Sequence, residues 1–510
     1  MQFLLLICLM MACLPIDWPA PLWDLGTRGS IACTGLGMGA MYLAAFSISR
    51  LAIMRLNRKL GSRETTAHQY GLARTWFFFA NLGVFAVSLY AFGWGATVKQ
   101  IGLIHVNDQP IFAPGGEFLI LAPFLLVQIG SWFFFYDVDR RFMVSSADAR
   151  RAPRFWSRGG YVLFLFRQQL VLVLAPLILL VGQQGIERMH PELFRSDWLP
   201  LISVLTLPAF LLIFPLFLPP LLGLRPLAKG SDRDRLSANA RRLHFRYSQI
   251  YFWDTRGGVA NAMIVGVVPW LRYVIFTDRL FEDLREDEVD AVLGHEVGHA
   301  KHGHILYYAL FLTLSFVVLG ALVQSFRLVE NPEWRQHRTL LMIAPVAIMG
   351  IYMFSAFGFL SRRCERQADL FGCRAVSCER DDCSGHDEST VFPDKGAGLC
   401  NTGIDVFIRG LQRVEDVNGM ARPKTPWRGT GFFGKFNWIF RLLTGWLHTW
   451  QHSTIQKRIA FLQRVMFDRS IERRFQYRLW YLRWAIIIGL LGTLVALICW
   501  RGLNVVLLAM

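Results

Sequence analysis

Runs of about twenty apolar residues recur along this chain, and in a bilayer such a run satisfies its own backbone only by coiling into a helix. They fall near 30–54, 76–98, 118–136, 161–182, 197–224, 305–327, 339–360 and 484–500. The predicted fold class is therefore mostly α, a multi-pass α-helical membrane protein whose first partner is the lipid bilayer. A hydrophobic share of 54% agrees with that reading. The formal charge of +17 would suit nucleic acid, but the arginines sit beside the apolar runs and form no basic face with interleaved aromatics. No nucleic-acid partner is expected.

Loop charges set the orientation, because Lys and Arg are retained on the cytoplasmic side. The connection after the first span carries Arg58, Lys59 and Arg63, and the one after the third carries Arg140, Arg141, Arg150, Arg151, Arg154 and Arg158. The alternate loops hold only Lys99, then Arg188 and Arg195. Continuing the alternation puts 225–304 and 361–480 together in the cytoplasm. The expected layout is an N-terminal transmembrane region (1–224), a first catalytic part (225–304), a hairpin (305–360), a second catalytic part (361–480) and a terminal span (481–510). Met1 to Ile16 is apolar without the basic start of a signal peptide, and is expected to be an anchor or re-entrant piece. Arg167, inside an apolar run, either lines a polar chamber or snorkels to the surface.

The polar stretch 286–304 reads as one helix, with Glu286, Asp287 and Glu288 at its positive end. It contains His295-Glu296-Val297-Gly298-His299. Histidines four apart project from one helical face, so both imidazoles can hold one Zn²⁺, and the adjacent Glu296 can act as general base toward a water acidified by the metal. With 12 histidines in 510 residues, chance supplies roughly 0.01 such motifs. One zinc per chain is expected. A catalytic zinc needs a third protein ligand, and Glu365 in Glu365-Arg366-Gln367-Ala368-Asp369 is the candidate, with Asp369 four residues on and on the same face. The separation of 66 positions from His299 to Glu365 is accounted for by two expected intervening spans that go out and return. His302 and His304 are read as ordinary polar residues at the membrane interface.

Together these residues resemble the integral-membrane zinc metallopeptidases that include HtpX and the CAAX prenyl endopeptidases. The resemblance covers about 225–465 and rests on several features. They are Asn261-Ala262, Leu280, Glu288, the run Gly294 to His304, Ser361-Arg362, Glu365, Ala368-Asp369, and His452 with Arg458. It implies a gluzincin-like α+β metallopeptidase core with His295, His299 and Glu365 as ligands and Glu296 as base. It also implies that Asp369 orients a histidine ligand, that Arg458 lies behind the ligand set, and that His452 stabilises the oxyanion. Asn261 and Ala262, on a strand expected over 259–265, would bind substrate backbone by strand addition. Ser453 stands where the family usually has proline, and His448 competes with His452 for the oxyanion role.

Four cysteines, Cys373, Cys378, Cys383 and Cys400, follow with His386, but their spacing does not match a zinc knuckle, so free thiols in a surface loop are expected. The expected activity is zinc-dependent endopeptidase cleavage, at the cytoplasmic face, of membrane-associated or misfolded polypeptides. The alternatives are processing of lipidated peptides or a non-catalytic scaffold clipped by zinc, against which Glu296 argues, since a structural site has no use for it. The oligomeric state is not legible in the sequence.

Overall fold

The computed structural model describes residues 21–58, 63–106, 109–146, 155–190, 209–210, 212–325, 348, 350–377, 398–418 and 453–502. Two compact units divide the chain, Met1–Asp197 and Trp198–Met510.

The first unit is built from α1 (Gly26–Asn57), α2 (Arg63–Tyr90), a short α3 (Trp94–Ile101), the hairpin β1 (Leu103–Val106) and β2 (Gln109–Phe112), α4 (Gly116–Ser146), α5 (Arg158–Gln169) and α6 (Ala175–Met189). One face of α1 carries Ser30, Thr34, Met41, Ala45, Ser49 and Ala52, all buried. Small side chains at helical spacing let helices approach closely where no hydrophobic effect drives them together. Ser49 adds a hydrogen bond from Oγ to the Phe134 carbonyl of α4 at 2.7 Å. The expected span at 76–98 is displaced: α2 ends at Tyr90, and Gly93, at φ +72°, opens a separate helix. The reversal needs the left-handed backbone that glycine adopts without penalty. The run at 161–182 is helical but interrupted by a π-helical turn, Leu170–Leu174, directly before Ala175-Pro176. Pro176 lacks the N–H that the regular ladder requires, and the wider turn absorbs the loss. Arg167, on the last turn of α5, is half-buried.

The second unit holds a four-stranded sheet in the order β3-β4-β6-β5, from Arg225–Pro226, Gln249–Trp253, Tyr273–Thr277 and Ala262–Val265 respectively. β4 and β6 run parallel and the other pairs antiparallel, leaving β5 at an edge. Its helices are α7 (Leu218–Leu222), α8 (Ser231–Arg242), α9 (Asp278–Asp283), α10 (Glu286–Lys301), α11 (His304–Ser325), α12 (Gly358–Ala375), α13 (Asn401–Val417), α14 (Ile455–Phe467) and α15 (Ser470–Arg501). Ala262 and Ile264 of β5 join Val274 and Phe276 of β6 and Val289, Leu293 and Val297 of α10 in one apolar core. Alternation along the strand sends these side chains inward and fixes the sheet against α10.

Among the described residues five helices have the length and apolar composition to cross a membrane: Gly26–Asn57, Thr65–Tyr90, Gly116–Met143, His304–Leu322 and Ser470–Arg501. Of the expected span at 197–224, residues 209–210 and 212–224 are described and hold the 3₁₀ turn Phe214–Phe217 and the short α7, and of that at 339–360, residues 348 and 350–360 are described; the remainder of both, with Met1 to Ile16, lies outside the described residues. α15 runs unbroken through residue 480, and its apolar half packs on α11 through Ile487 and Leu497 against Tyr307, Phe311, Val317 and Ala321.

Candidate metal centre

The helix expected over 286–304 stops short. α10 ends at Lys301, a turn follows through Gly303 at φ +62°, and His304 begins α11. α10 starts where the Arg285 backbone N–H donates to Glu288 Oε2 at 3.0 Å, and its first turn is acidic as the dipole favours.

α10 and α12 form the most extensive helix contact of the chain's described residues. Two glycines of the histidine motif make that closeness possible. A Cβ on Gly294 would stand 2.3 Å from Ala375 Cβ, and one on Gly298 would stand 2.9 Å from Phe371 Cβ and 3.1 Å from Ala368 Cα. Only bare backbone fits against α12 there, and the resulting approach brings Glu365 to the histidines.

The structure brings together His295, His299 and Glu365, with one ligand atom from each within 4.8 Å of the others. The two Nε2 atoms are 3.2 Å apart. Glu365 Oε1 lies 3.5 Å from His299 Nε2, and Oε2 lies 3.7 Å from His295 Nε2. Ligand atoms at about 2.1 Å from a tetrahedral zinc are about 3.4 Å apart, so the donor set matches that ion in both chemistry and spacing. Glu365 is only 3% exposed, which excludes a solvated surface carboxylate.

Behind the triad, Asp369 is fully buried. Its Oδ1 is 3.0 Å from His295 Nδ1, its Oδ2 accepts from Arg458 Nε at 2.9 Å, and Arg458 Nη2 reaches Oδ1 as well. Arg458 Nη1 also lies 3.6 Å from Glu365 Oε2. Burial alone would push the Asp369 carboxyl up, but Arg458 and His295 outweigh it and hold the group below its ordinary value. For His295 burial pushes down, yet the contact with Asp369 prevails and the imidazole is raised. For His299 burial dominates and the neighbouring His295 adds to it, so its pKa falls to about 3. A neutral imidazole is the form that ligates a metal.

Glu296 follows His295 on α10, half-buried, and its charge is felt by Arg458. Asn261 is exposed and sits one residue before β5 rather than inside a strand over 259–265. Its N–H donates to Thr277 Oγ1 at 2.8 Å, and Asn418 of α13's end clasps Ala260 through both backbone groups. Ala262 opens β5, buried in the core. His452 and His448 lie outside the described residues, as do Cys378, Cys383 and His386. Cys373 and Cys400 do not lie in a surface loop as expected: both are fully buried and outside any disulfide, Cys373 within α12, and Cys400 Sγ accepts from the Gly403 N–H at the start of α13. Ser453 adopts φ +61°, which the ring of proline forbids, so the turn before α14 differs in build from one containing proline.

A further sequence reading is overturned. His304 is not an interfacial polar residue: it is fully buried, with Nδ1 2.9 Å from His299 Nδ1 and Nε2 2.9 Å from Gln367 Oε1. Gln367 in turn donates from Nε2 to Gln476 Oε1 at 2.6 Å. His302 is half-buried, its ring stacked on His304 at 5.8 Å. Gln476 carried no sequence signal, since it lies 177 positions from His299 on the terminal helix.

Residues 233–464 match the profile of Peptidase family M48. Over 172 residues the chain is 30% identical to the Probable CAAX prenyl protease 1 of Schizosaccharomyces pombe, covering 31% of this chain and 35% of the relative. Over 195 residues it is 29% identical to the CAAX prenyl protease 1 homolog of Dictyostelium discoideum, covering 36% and 45%. Protease HtpX of Hydrogenovibrio crunogenus is 28% identical over 124 residues, covering 23% and 42%. The matched region thus spans less than half the length of these curated relatives. The crystal structure of S. mikatae Ste24p superposes with a TM-score of 0.51 at 15% identity, over 84% of this chain and 99% of that one. That likeness carries the fold, a multi-pass helical membrane protein, across both units.

Proposed function

We propose that this chain, an integral membrane protein with an M48 peptidase segment at residues 233–464, is a zinc-dependent endopeptidase acting on membrane-associated polypeptides. The observation that carries the reading is the spacing of His295 Nε2, His299 Nε2 and the Glu365 carboxylate, with Glu296 on the same helix. A structural zinc site closes on four protein ligands and leaves no task for a general base beside it.

When bound, zinc would be held by His295, His299 and Glu365, and would supply Lewis acidity that polarises the scissile carbonyl and acidifies water. Glu296 takes the proton of the attacking water and returns it to the leaving amine. Asp369, clamped by Arg458, holds the His295 ring in register. His452 is assigned to the oxyanion, by its place in the family pattern before Arg458.

Substrate binding is assigned to β5 with Asn261. The Thr277 N–H donates to the Asn261 carbonyl at 3.0 Å, so antiparallel alternation turns the backbone groups of Ala262 and Ile264 away from β6. Among the described residues no strand pairs with those groups, which leaves them to an added extended strand, the pairing mode in which backbone supplies affinity whatever the sequence. The arginine-rich connections 55–74 and 137–160 support a site on the cytoplasmic face. Processing of lipidated peptides is the second reading, favoured by the names of two of the relatives.

The test uses the full-length protein in detergent. Near-stoichiometric zinc and cleavage of a membrane-protein mixture that a chelator abolishes and zinc restores are expected. Material that cleaves equally with the metal stripped overturns the proposal.

A further inference from the structure

We propose that His304, Gln367 and Gln476 are positioning residues that set the tautomer of His299, so that a helix of the C-terminal membrane span fixes one ligand of the metal centre. This deepens the zinc reading above and rests on it. Four side chains form an unbroken chain, half-buried at His299 and buried beyond it: His299 Nδ1 to His304 Nδ1 at 2.9 Å, His304 Nε2 to Gln367 Oε1 at 2.9 Å, and Gln367 Nε2 to Gln476 Oε1 at 2.6 Å. His304, Gln367 and Gln476 are 0%, 5% and 3% exposed.

Direction follows from the amide. Gln367 spends its N–H on Gln476, so its carbonyl oxygen accepts, and His304 Nε2 must carry the proton that it accepts. A neutral His304 then has a bare Nδ1, which accepts from His299 Nδ1–H. His299 Nε2 is thereby left as a lone pair, and it is this atom that faces His295 Nε2 and Glu365. Reversing every bond of the chain would put a proton on His299 Nε2 and block ligation. The competent polarity therefore requires an acceptor at position 476, three side chains away, and the Gln476 carbonyl supplies it. His295 reaches the same end by a different device, its Nδ1 facing the Asp369 carboxylate. The two ligands thus have unlike supports, one ionic and one a neutral relay. α15 also braces the turn that carries His304, because Arg483 donates from both Nη atoms to the His302 carbonyl at 3.1 Å.

The experiment measures zinc affinity of the full-length protein in detergent by chelator competition, with a thermal melt of each metal-free variant. Gln367→Met and Gln476→Met are expected to weaken zinc binding on the order of tenfold or more, the scale of losing a ligand's supporting hydrogen bond. Gln476→Glu keeps the acceptor and excludes the reverse polarity, so it is expected to bind as the parent does. Selective ¹⁵N-histidine spectra of the metal-free protein should show proton-free Nε2 at His299 in the parent and a mixed tautomer in the methionine variants. Parental affinity in both methionine variants, or equal loss in Gln476→Glu and Gln476→Met, overturns the proposal. If Gln367→Met is not recovered folded, the pair at 476 decides. A parent that binds no zinc instead overturns the metal-centre reading itself.

Discussion

Asp369 stands between two partners, 3.0 Å from His295 Nδ1 on one side and 2.9 Å from Arg458 Nε on the other, in a setting closed to solvent. Replacing it with Asn removes the charge that balances Arg458 while leaving the guanidinium buried. Breaking one member of such a pair costs about 3–5 kcal/mol. Asp369→Asn is therefore expected to melt earlier than the parent and to bind zinc 10- to 100-fold more weakly. Chelator competition at a temperature where both proteins are folded separates the two effects, and unchanged affinity there would remove Asp369 from the positioning of His295.

Glu296→Gln preserves the shape of the side chain and the three ligands. Zinc content should match the parent, while cleavage falls on the order of 10²- to 10⁴-fold, the range for loss of a general base. Metal analysis paired with a cleavage assay checks this, and retained cleavage with full metal content would take Glu296 out of the chemistry.

Acidification should release the metal. His295 is raised above its ordinary value of 6.5, burial opposing and Asp369 prevailing. In the metal-free protein its charged form thus stabilises the fold fully below about pH 6.5, and that stabilisation is lost as pH rises through the raised value. Metal must displace this proton, so affinity is expected to drop as pH falls through that raised value and to go on falling below about pH 6.5. His299, at about 3, is already neutral across that range and adds nothing to the slope. Affinity independent of pH in this window would contradict the assignment.

Gly298→Val places two methyl groups where a single Cβ already meets Phe371 and Ala368 within 3.1 Å. The helices must part, at a cost of about 1–3 kcal/mol. Because α12 carries Glu365, the same separation should lower metal affinity as well as the melting temperature. A destabilised variant with parental zinc affinity would show that the triad tolerates the displacement.

Legibility differed sharply between local and distant features. The long apolar runs announced helices because backbone satisfaction in lipid leaves few alternatives, and α1, α4, α11 and α15 lie where the hydropathy pattern puts them. The end of α2 at Tyr90 escaped the pattern, since a left-handed Gly93 leaves no mark in hydropathy. A similar glycine, Gly303, cuts the polar helix short and turns His304 inward. Read as a surface histidine, it belongs to the buried relay because chain reversal, not composition, decides where its ring points.

The sequence by itself determined the donor chemistry: helical periodicity places His295 and His299 one turn apart, and sets Glu365 and Asp369 four apart on one face of a second helix. Only the tertiary structure decided how those donors are supported. Asp369 with Arg458, and Gln367 with Gln476, are joined across 89 and 109 positions. Partnerships at such separations depend on which helix faces close against which, and close packing selects those faces through small residues such as Gly294 and Gly298, whose meaning is invisible until the neighbouring helix is in place.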